Sequence, residues 1–188
     1  MTDAELIKKY QKGDKKAFET LLRRHQDALY TFLLRLTGAP DRADDLFQET
    51  FLRILKAMPK YREEGTFHHW LFRIANNVAR DTKRRDGVRQ RHITTDDALI
   101  DMAFSPNLRP DEETERRDLT RRVEHALSEL PEEQRRVFLL RTHANMRFRE
   151  IAEQEGVSIS TIISQMRYAV AKLKPILQPL FDEHRQFE

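Results

Sequence analysis

The sequence predicts an all-α chain of two small helical domains joined by a flexible linker, the second ending in a helix-turn-helix. Three observations predict it. Apolar residues recur at helical spacing through most of the chain and β-branched runs are short. Only five glycines occur in 188 residues, which again favours helix. The periodicity fades once, from Gly87 to about Asp111, where "SPNLRP" holds two prolines that disfavour helix before them. The expected organisation is a first domain over 1–90, a linker over 91–112 and a second domain over 113–188.

The first strong helix runs from Asp14 to Thr37. Phe18, Leu21, Leu22, Leu29, Phe32, Leu33 and Leu36 keep the 3.6-residue period, and Gly38 ends it. The next spans "PDRADDLFQETFLRILKAMP". Pro40 suits the first turn, Asp41, Asp44 and Asp45 lie near the positive end of the dipole, and Pro59 stops it. Ala43, Leu46, Phe47, Ile54, Leu55 and Met58 form its apolar stripe. A second ordered face carries Asp45, Gln48, Glu49, Leu52 and Lys56 at i, i+3, i+4, i+7 and i+11. Such a face either docks a partner helix or is simply solvated.

After the loop "KYREEGT", a third helix reads "FHHWLFRIANNVARDTKRR". Phe67, Trp70, Leu71, Ile74, Ala75 and Val78 are its apolar face; His69, Arg73, Asn76, Asn77, Arg80, Lys83 and Arg84 occupy the rest. Aromatic rings beside cations suit an unpaired DNA strand, since bases stack on rings while cations hold the backbone. Trp70 is expected mainly in the core, whereas Asn76, Asn77 and Arg80 are expected to meet DNA.

Helix resumes with Leu119, Val123, Ala126, Leu127 and Leu130, and Pro131 opens "PEEQRRVFLLRTH". Then come two short helical patterns broken at Gly156, read either as a helix-turn-helix whose second helix can lie in a major groove or as a plain helical hairpin in a core. Its buried stripe is Ile162, Met166, Ala169 and Leu173. The face with Ser160, Ile163, Ser164, Arg167 and Lys174 is left for a partner. Arg147, Arg149, Arg167, Lys172 and Lys174 suit phosphates, and Ser160, Thr161, Ser164 and Gln165 suit phosphate or base edges. Ile163 suits a thymine methyl or packs at a domain edge. Pro175 and Pro179 are expected to break the last helix and leave a short tail.

Charge follows the same division. Residues Lys60–Arg91 carry nine Lys and Arg against four Asp and Glu, net +5; Asp96–Asp118 carry three against eight, net −5; Arg135–Pro175 carry eight against three, again +5. Two basic blocks flanking an acidic one fit two contacts with a polyanion and a non-binding connector, although three solvated surfaces would read the same way. The chain has no cysteine, so disulfides and thiolate metal sites are excluded. It has no HExxH, no phosphate-binding glycine loop, no GxSxG and no His–carboxylate pattern. No catalysis, cofactor or metal is therefore expected. No apolar run nears the ~18 residues of a membrane span, and "MTDAELIKKY" lacks a signal-peptide core, so a cytoplasmic protein is expected.

These pieces, in this order, resemble one family. "ADDLFQETFLRILK" resembles the signature helix of bacterial RNA polymerase sigma factors, where D-L-x-Q-E-x-F-x-R is typical. "GTFHHWLFRIANNVARDTKRR" resembles their promoter-melting helix, which reads the −10 element. "LPEEQRRVFLL" followed by "REIAEQEGVSISTIISQMRYAVAKLK" resembles their −35-reading domain. With two domains and a short linker, the chain resembles the extracytoplasmic-function (ECF) group of the sigma-70 family, from about Asp14 to Lys174.

The resemblance implies a subunit that binds core RNA polymerase and directs it to promoters, for a stress or envelope response, with an anti-sigma factor as a possible further partner. The face with Asp45, Gln48, Glu49, Leu52 and Lys56 would dock on the coiled coil of the polymerase clamp. The loop from Lys60 to Thr66, with Tyr61 and Arg62, would help capture a flipped −10 base, and the next helix would hold the opened strand. Ser158 to Lys174 would lie in the −35 major groove. The chain departs from the family at Ile163 and Gln165, where basic residues are common, at Tyr168 and Val170, where the helix end is usually more basic, and at Glu155, usually apolar. The competing readings are a stand-alone helix-turn-helix regulator that does not associate with polymerase, and a purely protein-binding helical adaptor.

Overall fold

A reciprocal cap starts the chain. Thr2 Oγ1 accepts from the Glu5 N–H at 3.3 Å, and Glu5 Oε2 accepts from the Thr2 N–H at 2.7 Å. This satisfies two end-of-helix donors at once and begins helix α1 (Asp3–Gln11), which buries Leu6 and Ile7. The sequence reading assigned no helix here, because nine residues hold too few turns to show a period. Asp3 ties α1 to the next helix by accepting from Arg24 and, at 2.7 Å, from His25 Nε2.

The computed structural model describes residues 1–62, 66–89 and 120–185. Among them the regular elements are helical. Asp14 caps α2 (Lys15–Thr37), its carboxylate accepting from the Lys16 and Ala17 N–H groups, and Gly38, at φ +69°, closes it in the left-handed conformation that glycine takes without strain. Helix α3 (Pro40–Ala57) follows with proline in its first turn, then a 3-10 turn (Met58–Lys60). Thr66 Oγ1 accepts from the His69 N–H at the start of α4 (Phe67–Arg89), which continues past the point where periodicity fades.

α1 packs on α2, α2 on α3 and α4, and α3 on α4. Phe32 of α2 meets Phe72 of α4 edge to face, centroids 5.1 Å apart, and both are fully buried. Leu21, Leu33, Ile54, Met58 and Leu71 complete this core. Thr50 is the polar exception on the α3 stripe, fully buried, while Phe47 and Leu55, expected inside, are half-buried.

A second compact unit follows; residues 143–146 group with the first. Its helices are α5 (120–128), α6 (Glu132–Thr142), α7 (Phe148–Glu155) and α8 (Ile159–Arg185). α7 and α8 both pack on α6, and on each other, burying Val137, Leu139, Leu140, Ile151, Ala152, Ile162, Ala169 and Leu173. The linker expected over 91–112 lies outside the described residues.

The expected break at Pro175 and Pro179 does not occur: α8 continues through both. Each proline removes one i→i−4 bond. Ala171 and Pro175 are exposed, so the carbonyl left without a helical partner lies on the solvent side, where the loss is least costly.

Candidate nucleic-acid interface

Three surfaces carry the residues that the sequence singles out. The first is the outer face of α3. Asp45, Gln48 and Lys56 are exposed, and between them Leu52 leaves half its surface open to water. Glu49 differs from its neighbours. It is half-buried, and its Oε1 accepts from Arg53 Nε at 2.9 Å. Arg53 in turn donates through Nη1 to Asp81 Oδ2 on α4, also at 2.9 Å. The two carboxylates hold the guanidinium above its usual value, and the Arg53 hydrogen bond holds Asp81 below the usual carboxylate range.

The second surface is α4. Arg73, Asn77, Arg80 and Arg84 recur at i, i+4, i+7 and i+11, a single ridge. Arg73, Asn77, Lys83 and Arg84 are exposed, and His69 and Arg80 are half-buried. Arg84 lies 3.6 Å from Asp81, so the Arg53 clasp ends beside this ridge. Asn76 does not belong to it. The expectation of a DNA contact there is corrected, because Asn76 is fully buried among core residues: it falls on the inner edge of the helix, about 100° from Asn77.

Tyr61 is corrected in the same way. Its ring is buried, 4.6 Å centroid to centroid from Trp70 and 5.8 Å from Phe67, and its carbonyl accepts from Gln11 Nε2 at 2.9 Å. Trp70, expected in the core, is half-buried at the rim of this cluster. The ring therefore anchors the start of the loop, beside which Lys60 and Arg62 are exposed. Residues 63–65 lie outside the described residues.

The third surface is on the second unit. Gly156, at φ +70° and ψ +31°, makes the turn between α7 and α8, and its N–H and that of Val157 both donate to the Ala152 carbonyl. Ser158 starts α8: its Oγ accepts from the Thr161 N–H at 3.1 Å and lies 2.7 Å from Ser160 Oγ and 2.8 Å from Thr161 Oγ1. Ser160, Ile163, Ser164, Arg167 and Lys174 are all exposed, as is Arg149 on α7. Thr161 and Gln165 are half-buried and lie toward the margins of that face. Lys172 is tied to the Glu129 carbonyl.

Glu155, the acidic residue before the turn, sits 3.5 Å from Arg136 Nη1, and Arg136 also pairs with Glu132. Arg136 is buried. Where the resemblance implied an apolar residue, the chain has one half of an ion pair with buried Arg136, a partnership invisible in sequence because the residues lie nineteen positions apart. Among the described residues, no group of three or more His, Cys, Asp or Glu is placed to hold a metal.

Residues 21–89 match the Sigma-70 region 2 family and residues 120–173 match Sigma-70, region 4. The sigma-E factor of Haemophilus influenzae, an ECF RNA polymerase sigma factor, is 30% identical over 188 residues, covering 96% of this chain and 97% of the relative. The RNA polymerase sigma-H factor of Pseudomonas aeruginosa is 28% identical over 186 residues, with 96% of each chain covered. Among solved structures, the sigma factor RpoE of Bartonella quintana, in complex with the anti-sigma factor NepR, superposes with a TM-score of 0.66 at 23% identity, covering 87% of this chain and 98% of that one. CnrH, in complex with the cytosolic domain of CnrY, gives 0.60 at 25% identity, covering 94% and 97%. With both regions matched in order and full-length relatives at this identity, the chain belongs to the extracytoplasmic-function group of the sigma-70 family and is an RNA polymerase sigma factor that directs transcription initiation.

Proposed function

We propose that this sigma factor divides its work among the three surfaces. The outer face of α3, with Asp45, Gln48, Glu49, Leu52 and Lys56, docks on the coiled coil of the polymerase clamp. The α4 ridge of Arg73, Asn77, Arg80 and Arg84, with His69, Lys83 and Arg62, holds the opened −10 strand. The exposed face of α8 lies in the −35 major groove, with Arg149, Arg167 and Lys174 on phosphates and Ser158, Ser160, Ile163 and Ser164 nearest the bases. The first domain, residues 1–90, then serves polymerase and −10 DNA, and the second, 113–188, serves −35 DNA.

The observation that carries this reading is the half-exposed Leu52 set among exposed polar residues on α3. The opposite side of that helix is already committed to the core, so this ordered polar face with Leu52 at its centre is free to dock a partner helix. Catalysis stays with polymerase. The protein works in the cytoplasm, and no described helix is long and apolar enough to cross a membrane. An anti-sigma factor, of the kind that holds the Bartonella quintana protein, is a further proposed partner.

Full-length variants separate the three roles. Leu52→Glu should cut affinity for core polymerase. Arg73→Glu should leave core affinity intact and reduce promoter opening. Arg167→Glu should weaken capture of the −35 element while leaving core affinity intact. Normal core affinity in Leu52→Glu removes the docking assignment.

A further inference from the structure

Ile163 is out of character on the face where it stands. From Ile159 to Lys174, the exposed face of α8 carries Arg167 and Lys174 and α8 has no Asp or Glu, so the face is suited to an anion. Ile163 lies in the middle of it, with Ser160 three residues before, Ser164 beside it and Arg167 one turn on. It leaves 40% of its surface exposed, and Ile159, one turn earlier, leaves 42%. The core of the second unit does not need it, because the buried stripe of α8 is Ile162, Ala169 and Leu173, on another side of the helix.

An isoleucine side chain neither donates nor accepts a hydrogen bond and carries no charge. It gives nothing to a phosphate and cannot read the donor and acceptor groups of guanine, cytosine or adenine. In the major groove one base presents an apolar group at its edge, the C5-methyl of thymine. The positive charge around Ile163 favours DNA over a protein groove as the cover for this apolar spot.

Resting on the −35 assignment above, we propose that Ile163 is a specificity-determining residue that reads a thymine methyl group in the −35 element. The promoters preferred by this sigma factor then carry thymine at the base pair facing Ile163. Ser160 and Ser164 flank that contact, and Arg167 fixes the register from the backbone.

The test uses holoenzyme assembled from core polymerase and the full-length chain. Promoters are first selected from a library randomised across the −35 element. Each −35 thymine of the preferred sequence is then replaced by uracil, which removes the methyl and leaves base pairing unchanged. At one position this should weaken wild-type binding about fourfold, the worth of one buried methyl. Ile163→Val should keep that sensitivity, and Ile163→Ala should lose it. If −35 preference persists while every thymine-to-uracil change is neutral, the methyl contact is wrong and the −35 assignment stands. Equal sensitivity in wild type and Ile163→Ala assigns the methyl to another residue and overturns the proposal. Selection that returns no −35 preference overturns both this inference and the assignment beneath it.

Discussion

Arg53 joins Asp81 across the packed faces of α3 and α4, Nη1 to Oδ2 at 2.9 Å, while its Nε holds Glu49 on its own helix. One guanidinium thus links the proposed polymerase-docking face to the base of the proposed −10 ridge. The pair is partly exposed, with side-chain accessibilities of 34% and 40%, so its worth to stability is screened to about 0.5–1 kcal/mol. A double-mutant cycle of Arg53→Met and Asp81→Asn, read by urea denaturation, should return a coupling of that size. The coupling should be full at neutral pH. Because Asp81 is held below the usual carboxylate range, it should fade only as acid protonates that group, when pH falls through its lowered value. A coupling that grows on acidification contradicts the assignment.

Gln48 and Glu49 should contribute directly to core binding. The double change Gln48→Ala with Glu49→Ala leaves the buried stripe of α3 untouched, so circular dichroism should be unchanged. Affinity for core polymerase should fall on the order of tenfold, the scale of losing a few interface contacts. Glu49→Ala alone should do less, since part of that carboxylate is already spent on Arg53. Unaltered titration of the double variant against core would exclude the face.

Neighbouring asparagines should separate fold from function. Asn76→Ala empties a fully buried polar site and should cost about 1–3 kcal/mol of stability, seen as a lowered Tm. Asn77→Ala with Arg80→Ala, at an exposed and a half-buried position, should lower Tm less than Asn76→Ala. It should reduce open-complex formation on the order of tenfold, the loss of about one charge-assisted contact. The readout is permanganate reactivity of promoter thymines at −10. Normal reactivity in this variant would remove the ridge from the −10 assignment.

The contrast at Asn76 shows what the sequence could and could not convey. Apolar periodicity located α2, α3, α4 and the turn at Gly156, because burial of a helical stripe is written at fixed spacing. Asn76 is misplaced because polarity marks the surface only on average, and its angular position on α4 buries it; Tyr61 enters only with its loop, through the family resemblance, and its ring is buried against Trp70. Pairs between distant positions, Arg53 with Asp81 and Arg136 with Glu155, depend on how helices pack and leave no local signal. The proline reading failed for a different reason. Proline lowers helix stability by a finite amount, and α8 is long enough to carry two.

The buried Arg136 should be more costly to remove than its partner. Arg136→Met strands both Glu132 and Glu155 in a partly desolvated site, and about 3 kcal/mol of stability should be lost. Glu155→Leu puts an apolar side chain at this half-buried position and leaves Arg136 paired with Glu132, so it should change stability by no more than about 1 kcal/mol. Thermal or urea unfolding of the two variants decides the order. If Glu155→Leu is the more damaging, the ion pair does not govern this corner.

Arg167 and Ser164 should fail in different ways, although both are exposed on α8. A phosphate contact positions without specifying, so its loss weakens all promoters alike. Arg167→Ala should therefore lower holoenzyme affinity for every promoter by a similar factor and reduce the slope of log affinity against log salt by about one. Ser164→Ala removes a group placed to reach a base edge and should change which −35 sequence is selected, with the salt slope preserved. Gln165→Ala should change selection less than Ser164→Ala, because Gln165 is half-buried at the margin of the face. Titrations at several salt concentrations on matched and mismatched −35 elements separate these outcomes. An Arg167→Ala variant with an unchanged salt slope and an altered preferred sequence would move that side chain from the backbone to the bases. The register of α8 in the groove would then have to be redrawn by a rotation of the helix.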